Sequence, residues 1–112
     1  DTPNPDINYS TARDLSKLAK SLLGESLLWE ISATPKFSAY GPELINTNEL
    51  LGRLPGIVGG KTGYAEKAGG CLLLVVNAPN ERGYIISVVL GSDNRFVDTE
   101  KLINWLNSAY IW

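Results

Sequence analysis

An α+β fold, with helices covering both faces of a three-strand antiparallel sheet, is predicted by three observations. The runs CLLLVV from Cys71 and YIISVVL from Tyr84 are apolar at nearly every position, so strands made from them must be covered on both faces. The segment APNERG between them carries the turn chemistry of an antiparallel hairpin. Helical periodicity precedes and follows these strands, and 112 residues with 44% hydrophobic content are enough for one domain and one core.

Residues 1–9, DTPNPDINY, hold two prolines and several Asx residues and read as an irregular lead-in, the tail of something upstream. Thr11 followed by Asp14 resembles a capping box, and Leu15, Leu18, Ala19, Leu22 and Leu23 fall at helical spacing behind it; Gly24 ends that helix. A shorter helix over residues 25–32 is closed by Pro35, and residues 36–40 form a brief strand. ELINTNELLGRLPG reads as a loop with a short helix. The meander follows, with strands over residues 58–64, 71–77 and 84–90. From Phe96 onward, Leu102, Ile103, Trp105, Leu106 and Ala109 form the apolar stripe of a last helix, with Asp98, Glu100 and Lys101 near its start. That helix covers one sheet face and the earlier helices cover the other, giving three layers.

The stretch GIVGGKTGYAEKAGG carries a Gly-Lys-Thr triplet that suggests a phosphate loop. That loop needs a glycine six positions before the lysine, and Pro55 stands there. It also needs a buried strand before it and a helix opening at the Lys-Thr, whereas Gly63, Gly69 and Gly70 break any helix. The triplet belongs instead to the first strand of the meander, at the sheet edge. There Lys61 and Thr62 point in different directions, and Gly60 and Gly63 bare the approach for an extended peptide added as a further strand. From spacing alone the favoured reading is instead a solvated lysine that blunts the edge, with the glycines as turn formers.

Other chemistries are excluded by composition. Ten basic and twelve acidic residues, scattered to a net charge of −2, make no basic stripe for nucleic acid. No run approaches the length of a membrane span, and no charged-then-apolar leader is present. The lone Cys71 heads an apolar run and is read as a small buried hydrophobe. The chain has no histidine, so His-based triads and His-ligated zinc are excluded within it. Hydrolysis without His or metal has a known solution in a serine worked by a lysine, together with a Lys-Thr-Gly motif.

YSTARDLSKLAKSLL, NTNELL, GIVGGKTGYAEKAGGCLLLVV, ISVVLGS and the Trp-bearing last helix resemble, in order and spacing, the C-terminal half of the serine D-alanyl-D-alanine carboxypeptidases, low-molecular-mass penicillin-binding proteins. The resemblance covers essentially the whole chain. It implies the β-lactamase/transpeptidase-like three-layer fold, with residues 1–112 as the C-terminal part of a single domain. Lys61, Thr62 and Gly63 would be the family's third catalytic motif. Lys61 would lend positive charge to the nucleophile region, Thr62 would hydrogen-bond the substrate carboxylate, and the Tyr64 backbone N–H would be an oxyanion donor. Several relatives carry a basic residue in the stretch here written NTN, where this chain has Thr47.

The first two motifs of the family are a different matter. No serine begins a Ser-x-x-Lys, so the nucleophile and its partner lysine are absent from this chain. Ser92, Asp93 and Asn94 spell Ser-x-Asn, but they follow the Lys-Thr-Gly instead of preceding it and are read as a turn or helix cap. The resemblance implies a bacterial, extracytoplasmic parent that trims peptidoglycan stem peptides ending in D-Ala-D-Ala through an acyl-serine, binds β-lactams, and needs no cofactor or metal. The chain alone would be inert. Its partners would be those peptides and antibiotics, the N-terminal part of its own domain, and a second copy through the open sheet edge. A β-lactamase relative and a non-catalytic cell-wall-binding module are the alternatives.

Overall fold

The computed structural model describes residues 10–38 and 41–112. The expected lead-in over residues 1–9 and the end of the expected strand at residues 39–40 lie outside them. Two helices come first, α1 (Ala12–Ser21) and α2 (Ser26–Ser32), followed by a small hairpin of β1 (Lys36–Phe37) and β2 (Leu44–Ile45). The main sheet is β3 (Ile57–Ala65), β4 (Gly69–Asn77) and β5 (Tyr84–Ser92) in the order β3-β4-β5, antiparallel throughout, and α3 (Arg95–Ala109) closes the chain.

The local reasons match the sequence at several points. Thr11 caps α1 by accepting the Asp14 N–H at 3.1 Å, satisfying a donor that the first helical turn leaves free. The β4–β5 connection is a 3₁₀ turn, Pro79–Glu81, in which the Ala78 N–H reaches the Gly83 carbonyl at 2.8 Å. Gly83 adopts φ +97, which only glycine takes without strain.

Both faces of the sheet are covered, and the parity of β4 separates them. Leu72, Leu74 and Val76 pack with Leu50, Leu54, Ile85, Phe96 and Ile103, so α3 and the 50–54 turn cover that face. Leu73 and Val75 pack on the other face with Ala19, Leu22, Leu23 and Trp29 of the α1–α2 layer. Leu72, Leu74 and Val75 are wholly buried, each withdrawing apolar area worth about 2 kcal/mol from water.

Four expectations need correction. The segment after β2 contains turns and no helix: the Leu54 N–H reaches the Leu50 carbonyl, but the chain turns away again at Gly52 and Gly56, both at positive φ. The buried stripe of α3 is Phe96, Thr99 and Ile103, with Leu106 partly covered, while Leu102 and Trp105 are exposed. The 3.6-residue period decides this, because a stripe through Ile103 passes through Thr99 and Phe96. Leu18 is exposed on α1, where only Ala19 is fully buried. Gly60 does not bare the edge for an incoming chain: a Cβ there would lie 2.4 Å from the Leu73 carbonyl oxygen, inside the sheet.

A separate apolar hollow lies between α2 and the β1–β2 hairpin, lined by Leu27, Ile31, Phe37, Leu44 and Ile45. All five are exposed. Among the described residues no helix is long and apolar enough to cross a membrane.

Candidate active site at the open edge of the sheet

β3 pairs with β4 on one side only, so its other long edge is free of strand partners among the described residues. Its start is anchored by α2. The Ser32 hydroxyl donates to the Trp29 carbonyl at 3.0 Å and accepts the Gly60 N–H at 3.1 Å, tying the helix end to the strand. Gly59 makes this approach possible, since a Cβ there would fall 2.2 Å from Ser32 Oγ and 2.8 Å from the Trp29 carbonyl.

Lys61 stands opposite Leu73 and Thr62 opposite Leu72. Paired residues share a face, so Lys61 leans toward the α1–α2 layer and Thr62 toward the α3 layer, with the free edge between them. The exposed Lys61 ammonium donates to the Thr62 carbonyl. Thr62 Oγ1 lies 2.5 Å from Thr47 Oγ1. Each hydroxyl both donates and accepts, so one proton joins the pair and the other remains for a ligand.

Thr47 is placed by a residue that sequence reasoning missed. Asn46 donates from Nδ2 to the Ser32 carbonyl at 2.9 Å and to the Thr34 carbonyl at 3.0 Å, while its Oδ1 accepts the Asn48 N–H at 2.9 Å. These contacts stitch the 46–48 loop to the end of α2, and Thr47 is carried to β3. The Asn-Thr-Asn spelling was the available signal, since paired Asx residues organise turns through their own side chains.

Beyond Thr62, the Gly63 carbonyl accepts a hydrogen bond from Arg95 Nη1 at 2.5 Å. No cis peptide occurs among the described residues, so the Tyr64 N–H points opposite to that carbonyl. Arg95 comes from the α3 side, over β4, which leaves the N–H directed toward the open edge. A Cβ at Gly63 would meet only Cys71 Cβ, at 3.8 Å, an ordinary contact. Cys71 is half-buried and its thiol is free.

Ser92 and Asn94 are not part of this edge. Asn94 Oδ1 caps α3 by accepting the Val97 N–H at 3.2 Å, and Ser92 Oγ accepts the Asn94 N–H at 3.0 Å while donating to Asp98. They are a helix cap, as their position after the Lys-Thr-Gly suggested. Among the described residues no group of three or more His, Cys, Asp or Glu could hold a metal.

The edge therefore presents a cation, a hydroxyl pair and an outward N–H, an arrangement suited to an extended, anionic ligand. The chain matches the D-alanyl-D-alanine carboxypeptidase family over residues 2–94. It is 32% identical to the D-alanyl-D-alanine carboxypeptidase DacF of Bacillus subtilis over 92% of its own length and 28% of that protein's. Among solved structures it is similar to the cefotaxime-bound penicillin-binding protein D2 of Listeria monocytogenes, at 32% identity and a TM-score of 0.77, covering 91% of this chain and 43% of that one. A mutant of the Streptomyces K15 DD-transpeptidase superposes with a TM-score of 0.81 at 30% identity, covering 89% and 43% of the two chains. The chain thus spans under half the length of these relatives, and its helix, antiparallel sheet and helix layers are the corresponding portion of their fold. With the family matched across most of its residues, the chain belongs to the D-alanyl-D-alanine carboxypeptidase family.

Proposed function

We propose that this chain is the Lys-Thr-Gly part of a bacterial, extracytoplasmic serine carboxypeptidase that removes the terminal D-alanine from peptidoglycan stem peptides and is acylated by β-lactams. The observation that carries the reading is the Lys61-Thr62-Gly63 strand lying at an open sheet edge, with Thr47 seated on Thr62, in a member of this family.

In this reading the substrate's C-terminal strand lies along β3. Its carboxylate takes the free hydroxyl proton of the Thr47–Thr62 pair, and the Lys61 ammonium supplies positive charge beside the nucleophile. The Tyr64 N–H donates to the carbonyl oxygen as it gains charge during acyl transfer, where a preoriented donor acts without reorganisation. Proton transfer and attack belong to a Ser-x-x-Lys outside this sequence.

The test uses the complete protein. Replacing Lys61 with Ala should slow acylation by a β-lactam about a hundredfold or more, the scale of losing one preoriented electrostatic group, with folding retained. Acylation as fast as in the unaltered protein, in a folded variant, would leave Lys61 as an edge-blunting lysine. Turnover of a peptide ending in D-Ala-D-Ala, beside slow release of the β-lactam acyl group, separates a carboxypeptidase from a β-lactamase.

A further inference from the structure

We propose that Arg95 is a positioning residue for acyl transfer, holding and polarising the Gly63–Tyr64 peptide so that the Tyr64 N–H is a stronger and better-aimed donor. The inference rests on the functional reading of the β3 edge and adds to it a residue outside the Lys-Thr-Gly motif.

Four observations converge on Arg95. Its Nη1 donates to the Gly63 carbonyl, which belongs to the same peptide unit as the Tyr64 N–H. Its guanidinium lies over the Phe96 ring, 4.9 Å from the centroid, a stacking contact that limits its freedom. Its stem runs across Gly70, where a Cβ would come within 3.2 Å of Arg95 Cδ, so the glycine provides the channel along which the side chain crosses the sheet. Finally, Arg95 is the first residue of α3, the end of a helix where a cation is disfavoured, and it makes no salt bridge among the described residues. Neither the helix dipole nor an ion pair therefore gives a reason for a cation at this position.

The physical consequence follows from the amide. A charge-assisted hydrogen bond to the carbonyl oxygen draws electron density through the peptide and makes the attached N–H a better donor. Because the peptide is trans, the guanidinium pulls on one side while the N–H faces the open edge on the other. The positive charge also lies near the place where the oxyanion develops. Arg95 would thus assist the transition state more than the bound ground state.

The experiment has two arms. In the complete protein, Arg95→Gln and Arg95→Lys are compared with the unaltered enzyme by measuring both the β-lactam dissociation constant before acylation and the acylation rate constant. Loss of a supporting contact of this kind is expected to lower the rate constant about 10- to 100-fold in Arg95→Gln, with partial recovery in Arg95→Lys and little change in the dissociation constant. A weakened dissociation constant with an unchanged rate constant would overturn the proposal, because Arg95 would then contact the ligand itself. An unchanged pair of constants would overturn it as well. In the second arm the present chain is labelled with ¹³C and ¹⁵N, and the Gly63 carbonyl and Tyr64 amide shifts are followed in the same variants. Both should move in Arg95→Gln, the carbonyl carbon upfield as its hydrogen bond is lost. Shifts that stay in place in the folded variant would show that Arg95 does not control this peptide and would refute the proposal; a merely structural role would lower the melting temperature and leave the acylation rate constant of the folded variant unchanged. If the unaltered complete protein takes up no β-lactam, the acyl-transfer reading of the edge fails, while the shift measurements still decide whether Arg95 controls the peptide.

Discussion

Replacing Gly59 with alanine puts a methyl group into space already held by α2. The new Cβ would lie 2.2 Å from Ser32 Oγ, 2.8 Å from the Trp29 carbonyl oxygen and 3.0 Å from Trp29 Cε3. The hydroxyl can rotate away, but it then abandons the Gly60 N–H that it accepts at 3.1 Å. Leaving that part-buried donor without a partner costs about 1–3 kcal/mol, and pushing helix backbone from strand backbone adds a comparable overpacking cost. Gly63→Ala is the control, because its Cβ would meet only Cys71 Cβ at 3.8 Å. Both substitutions restrict the unfolded chain equally, so their difference isolates the clash. Gly59→Ala should therefore be about 3 kcal/mol less stable than Gly63→Ala, or about 12 °C lower in Tm for a domain of this size. Urea denaturation followed by tryptophan fluorescence measures this, with the buried Trp29 beside the substituted position. Stabilities within about 0.5 kcal/mol of each other would refute the close approach of α2 to β3.

Two further outcomes are expected of the chain as it stands. Incubated with labelled penicillin and weighed, it should gain no mass, since it has no Ser-x-x-Lys; a stoichiometric adduct on any serine, Ser92 included, would overturn the motif assignment that leaves this chain without a nucleophile. The outer side of β5 has no strand partner among the described residues, and its Tyr84–Ser92 run holds neither proline nor charge, so the purified chain should pair through it with a second copy or retain an upstream segment. Light scattering and hydrogen exchange test this: a stable monomer near 12.2 kDa, with the outer β5 amides exchanging freely and the remainder protected, refutes it.

The sheet was legible because β4 and β5 are apolar at both parities, a pattern that leaves few alternatives once a turn separates the runs. The α3 face was less so. Trp105 looks like core and Thr99 does not, yet Thr99 is wholly buried and Trp105 exposed, because helix rotation is set by the best fit of the whole face. The β1–β2 hairpin was only half visible: two-residue strands with every residue exposed leave no hydrophobic period to read. At the candidate site, the Lys-Thr-Gly was plain in the spelling, but its supports were not. Ser32 reaches Gly60 across 28 residues and Arg95 reaches Gly63 across 32, and such contacts exist only after the layers have packed.

One irregularity of β3 determines which way the Lys-Thr-Gly faces. Ile57 stands opposite Val76 and Gly59 opposite Val75, so β3 spends two residues where β4 spends one, and Val58 is the extra residue. Ile57 accordingly joins the α3-side core while Val58 packs on the α1–α2 side, next to Gly59 against α2. In an unbulged strand of the same sequence continuing from Ile57, Lys61 would stand opposite Leu72 and Thr62 opposite Cys71, exchanging faces. Thr62 would then turn away from Thr47, and the ammonium would rise on the α3 side. The single surplus residue thus works as a phase shifter: pairing Val58 into the ladder would keep every letter of the Lys-Thr-Gly and invert its geometry, whereas deleting Val58 would remove the bulge and leave Lys61 opposite Leu73 and Thr62 opposite Leu72 as they stand.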